Sequence, residues 1–111
     1  MKWQVGDVEI TKIVELEMTG GTRFLLPQAT REEVQKIDWL VAHFADADGR
    51  LMMSIHALVV VTPEKRIVVD TCLGNDKQGR CIPHWNERQG RFLEDMRKAG
   101  FPPESIDTVL C

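Results

Sequence analysis

The chain has 111 residues, 43% hydrophobic and 28% charged, with a formal net charge of -3. That balance excludes a largely disordered chain, and an acidic sequence without a basic run argues against a nucleic-acid partner. The longest apolar run, Ala57 to Val61, is far too short to cross a bilayer, so no membrane partner is expected.

Val8, Ile10, Val14, Leu16 and Met18 share one parity, interrupted by Lys12, which predicts a strand from Val8 to Met18 closed by Gly20-Gly21. Thr30-Arg31-Glu32-Glu33 has capping-box spacing, with Thr30 as N-cap and Glu33 reaching back. It predicts a short helix from about Arg31 to Ile37, its apolar face resting on Val34 and Ile37. Trp39, Leu40, Val41 and Phe44 read as core or subunit contact. Asp48-Gly49 is a turn signal. The run Leu51 to Thr62 predicts a long strand, apolar on both faces in its second half as in a buried strand. Pro63 to Arg66 turns the chain into Ile67-Val68-Val69, giving an antiparallel hairpin.

Thr71 to Glu87 is a polar loop of a length that compact domains keep for function. Asn86 with Gln89 predicts a helix from about Glu87 to Ala99, with Phe92, Leu93, Met96 and Ala99 as its stripe. Gly100 and Pro102-Pro103 stop it. Ile106 to Cys111 reads as a final, buried strand. Strands interleaved with helices give an α/β pattern with a mixed sheet, and the last helix leads at once into a strand, as in a crossover unit.

Few residues announce chemistry. His43, His56 and His84 show no pairing that would set two imidazoles on one metal, so each reads as a packed or surface residue. His56 lies mid-strand and suits a core histidine; His84, beside Trp85 in the long loop, is the better pocket candidate. Cys72, Cys81 and Cys111 are odd in number and form no C-x-x-C. With no apolar block among the first residues, a reducing cytoplasm is the expected compartment. Cys72 sits at a strand end, either as a buried thiol or as an exposed nucleophile.

Asp70 is the most informative position. A carboxylate directly after three β-branched residues needs partners. It either caps the N–H groups of the following loop or serves a site at the carboxyl end of a sheet strand, where α/β proteins place theirs.

The run Leu58 to Cys72, an apolar hairpin ending in Asp70-Thr71, resembles the first motif of the metallo-β-lactamase-fold hydrolases, where the hairpin ends in Asp-Thr-Gly. Cys72 stands where that motif has its glycine. Phe92 to Leu110 resembles the family's next piece: helix, Gly100, a Pro-containing turn, Ile106-Asp107 and a strand. Leu26-Pro27 and Asp48-Gly49-Arg50-Leu51 look more like the lactonase and organophosphate-hydrolase branch than the antibiotic-destroying enzymes.

The resemblance implies an α+β fold, the N-terminal half of a four-layer αββα domain, with residues 1–111 one partial domain. In the family the last strand delivers Thr-His-x-His-x-Asp-His, and this sequence stops where that motif would begin. It therefore implies a longer parent enzyme that binds one or two zinc ions and attacks an ester, lactone or similar small-molecule substrate with metal-bound hydroxide. Asp70 would orient the metal loop from behind, and Thr71 would support the same turn. His84 and Trp85 are candidates for the substrate mouth, without a role carried over from the family. The chain itself holds no catalytic set and no metal ligands, and alone is expected to be inactive. A rival reading is a complete, non-enzymatic α/β module that binds a partner, or forms a homo-oligomer, through the edge of its last strand.

Overall fold

The computed structural model describes residues 1–111. It is α+β, built on a five-stranded mixed sheet of order β1-β2-β3-β4-β5. The strands are β1 (Lys2–Val5), β2 (Val8–Thr19), β3 (Met52–Val61), β4 (Arg66–Val69) and β5 (Thr108–Leu110). The helices are α1 (Arg31–Gln35), α2 (Asp38–His43) and α3 (Phe92–Lys98). None is long and apolar enough to cross a membrane. The chain divides into two compact units, residues 1–15 with 55–111, and residues 16–54.

In the first unit, β1 pairs with β2 around a tight turn, Val5 opposite Val8. All four β1 residues are exposed, so no burial alternation marks this strand in the sequence. β2 forms as expected, but its buried face is the opposite one. Thr11 and Ile13 are buried, while Ile10, Lys12 and Val14 are only half-buried. The inward parity carries Glu9, Thr11, Glu15, Glu17 and Thr19 beside Ile13, which is why hydrophobic counting selects the wrong face.

The expected hairpin is present, with Val59 opposite Val68. Thr62 ties its turn by accepting the N–H groups of Glu64 and Lys65 on its hydroxyl. Ala57, Val59 and Val68 form the core with Ile13 and with Phe92, Met96 and Phe101. β3 is thus sealed on one face only, since Leu58 and Val60 are half-buried.

α3 begins at Phe92, five residues later than the capping pattern predicts. Glu87 has a left-handed φ of 50° and gives its N–H to Lys77, so the segment before Phe92 belongs to the loop. The helix ends as expected. Gly100, at φ 90°, donates to Arg97 C=O, and Phe101 N–H closes on Met96 C=O, the paired bonds of a Schellman stop. β5 then lies parallel to β4. It is the last strand in the order rather than a buried one, and Val109 and Leu110 are 54% and 51% exposed.

In the second unit, Thr30 caps α1 by accepting the Glu33 N–H. Glu33 does not reach back; its carboxylate pairs with Lys36. α1 ends at Gln35, and the chain restarts as α2, which the sequence did not signal. Val34, Ala45, Thr22 and Gly49 are the buried residues here. Trp39 and Phe44 are not core: they stack edge to face at 6.1 Å and are 63% and 55% exposed.

Candidate functional site

β4 and β5 run parallel with Val69 opposite Leu110, so their carboxyl ends lie at one level. Asp70 N–H donates to Leu110 C=O at 2.8 Å, the last bond of that ladder. The chain then leaves the sheet sharply. Asp70 has φ 68° and Cys72 φ 61°, both left-handed. Aspartate tolerates that region because its short carboxylate can bond its own backbone. Here Asp70 Oδ1 accepts the Cys72 N–H at 2.7 Å. The backbone at Cys72 is the kind that glycine favours, which accounts for glycine at the corresponding place of the motif this segment resembles.

A second carboxylate completes the turn. Glu15, on β2, accepts the Leu73 N–H on Oε2 at 2.7 Å and the Gly74 N–H on Oε1 at 3.0 Å. Two charge-assisted bonds to successive amides hold a loop far more firmly than one neutral bond. Arg80 adds a third anchor, donating to Leu73 C=O at 2.8 Å. Sequence reasoning missed Glu15. The available signal was a glutamate on the same parity as Ile13, the inward parity of β2.

Cys72 lies against the core beneath this turn. Burial, reinforced by the charges of Glu15 and Asp70, pushes its thiol up to about 12. It is held as a neutral thiol, the packed residue rather than the nucleophile. Thr71 is exposed, with its hydroxyl 4.0 Å from the Cys111 sulfur. A cavity of about 240 Å³ opens beside the turn, mostly apolar, with Thr71, Glu15, Phe92, Met96, Ile106 and Val109 among its walls.

The outer loop is pinned separately. Asn75 and Gly90 exchange two bonds, at 2.9 and 2.8 Å. Asn86 caps no helix; its amide gathers Arg80, Ile82 and Pro83. His84 and Trp85 sit on the 3-10 turn Pro83–Trp85, edge to face at 6.5 Å. They do not line the cavity beside the Asp70 turn. His43 is exposed and stacks on Phe44, and His56 is half-buried on β3. No three His, Cys, Asp or Glu side chains converge into a set that could hold a metal ion, so the residues present do not fit one.

No protein-family model and no curated protein matches the chain in sequence. Solved structures match it in fold. A dizinc quorum-quenching lactonase, AidC, is 27% identical over 98% of this chain and 34% of its own, with a TM-score of 0.64. AbOPH, a hydrolase of the β-lactamase superfamily, matches at 22% identity over 97% of this chain and 33% of its own, TM-score 0.61. A probable metal-dependent hydrolase from Staphylococcus aureus matches at 17% over 96% of this chain and 38% of its own, TM-score 0.63. The chain spans about a third of the length of these structures.

Proposed function

We propose that this chain, which carries the fold of the metallo-β-lactamase hydrolases, is the N-terminal part of a metal-dependent hydrolase acting on an ester, lactone or similar bond of a small molecule. The observation that carries the reading is the Asp70 turn, set at the shared carboxyl end of two parallel strands where α/β sheets hold their ligands. The match to a lactonase over nearly the whole chain supports it.

Zinc, the metal of that lactonase, is the proposed metal of the parent. Its ligands would have to come from outside residues 1–111, since no such set forms within them. The work assigned to this chain is mechanical. Asp70 and Glu15 fix the backbone from Cys72 to Gly74, and that turn gives whatever packs on the strand ends a rigid floor. Thr71 is the exposed hydroxyl on that floor. His84 and Trp85 remain proposed wall residues for the substrate.

The test is hydrolysis of lactone, carboxylic ester and phosphotriester substrates by the parent protein, with and without a chelator. Chelator-sensitive turnover of at least one class is expected, and Asp70→Ala should cut metal content or rate by roughly 10–100-fold. Unchanged metal content and rate in that variant would remove Asp70 from the site.

The rival reading of a self-associating module is favoured by one observation, the exposed Val109 and Leu110 on the last strand of the sheet. Size-exclusion chromatography of the 111-residue chain tests it: a discrete dimer abolished by charged substitutions at both positions supports it, and a monomer overturns it.

A further inference from the structure

We propose that residues 16–54 carry an oxyanion-binding cleft, in which the guanidinium groups of Arg23 and Arg31 receive a carboxylate or phosphate group. The cleft holds about 570 Å³ and lies between the end of β2, the start of α1 and the turn that leads into β3. Three arginines line it, Arg23, Arg31 and Arg50, against a single carboxylate, Glu32. Arg50 is already engaged: its Nε bonds Asp46 at 2.7 Å, and its Nη2 lies 3.8 Å from Asp48. Arg23 and Arg31 take part in none of the ion pairs of the chain. Two forked donor groups therefore line one cleft without a hydrogen-bonded carboxylate, and the nearby charge of Glu32 is their only counter-charge in that lining.

The frame behind them is backbone, and it is tight. A Cβ at Gly49, whose φ is 74°, would stand 2.5 Å from Arg31 C=O, so the turn lies flush against the first turn of α1. Asp46 Oδ1 gathers the N–H groups of Asp48 and Arg50, and Gly20 N–H bonds Leu51 C=O at 2.8 Å. A Cβ at Gly20 would sit 3.6 Å from Arg50 Cδ, so the Arg50 stem lies over that glycine. Thr22, 8% exposed, also lines the cleft. Guanidinium forks match the paired oxygens of carboxylate and phosphate.

The experiment is an NMR titration of the 111-residue chain, at constant ionic strength, with inorganic phosphate and, separately, with acetate. Saturable shifts of the Arg23 and Arg31 side-chain N–H signals and of the Thr22 amide are expected with at least one anion, and the one that saturates tells phosphate from carboxylate. Arg23→Ala and Arg31→Ala should each weaken binding about tenfold, whereas Arg97→Ala, on α3, should not change it. Arg31→Lys keeps the charge without the fork and should fall between. Shifts that stay linear with both anions, or binding that survives both alanine substitutions, would overturn the proposal. The outcome is independent of the hydrolase reading, which concerns the other unit.

Discussion

The two compact units are held together by different means. Residues 1–15 and 55–111 share an apolar core, in which Ala57 and Val59 are fully buried under Phe92, Met96 and Phe101. Residues 16–54 bury one large apolar residue, Val34, and expose Trp39, Phe44, Leu25 and Leu26. Their order comes from the backbone instead: the Thr30 cap, the Asp46 turn and the fit of Gly49 against Arg31. One unit should therefore be sensitive to side-chain volume, the other to backbone conformation and caps.

That contrast gives a ranked set of measurements. Met96→Ala should cost about 2–5 kcal/mol, as buried large-to-small changes do. Val69→Ala, on the more open face of the sheet, should cost under about 1 kcal/mol. Urea denaturation of both variants checks this, and equal losses would break the account of the core. Gly49→Ala comes next. A left-handed φ with a Cβ driven onto a carbonyl oxygen predicts about 2–4 kcal/mol, and Gly79→Ala, at the same φ in open space, about 1–2 kcal/mol.

Glu15→Gln keeps one acceptor oxygen and loses the charge. Amide exchange at Leu73 and Gly74 should accelerate in proportion to a local loss of about 1–3 kcal/mol. The same substitution should draw the Cys72 thiol down from about 12 toward its ordinary 9.0, seen as alkylation of Cys72 at lower pH. The sign of the pH effect follows. With the thiol proton held more tightly in the folded state, stability is unaffected below about pH 9 and falls as pH rises toward 12. Cys72→Ala should flatten that decline. Thr30→Ala removes a cap worth about 1 kcal/mol, readable as a lower melting temperature confined to probes in residues 16–54.

The sequence made some of this plain and hid the rest for identifiable reasons. The β3–β4 hairpin, the Thr30 cap and the Gly100 stop were legible because each rests on neighbours in the chain. β5 and its place beside β4 were legible only as a strand after a helix. The buried face of β2 was not, because the residues turned inward include Thr11 and Glu15, chosen for hydrogen bonds rather than oiliness. Asp70 could be singled out, since a carboxylate after three β-branched residues demands partners. Glu15 could not, because its partners lie 58 and 59 residues away. Helix α2 was unannounced because its N-cap is Ile37, which offers no side-chain cap to mark a helix start.

One clasp bears on the order of folding. At the start of the parallel pair, Arg66 N–H bonds Asp107 Oδ2 at 2.7 Å, and Asp107 N–H bonds Arg66 C=O at 2.9 Å, across 41 residues. The β3–β4 hairpin needs only the short turn through Thr62 and can close in microseconds. Joining β5 to β4 requires first ordering the loop and α3, an entropic cost that grows with the length enclosed. Parallel pairing should therefore be the late event, with the Asp107 carboxylate acting as its latch. In pulse-labelled refolding, the amides of Val59 and Val68 should gain protection before that of Leu110. Asp107→Asn should slow the second event and leave the first at its native rate.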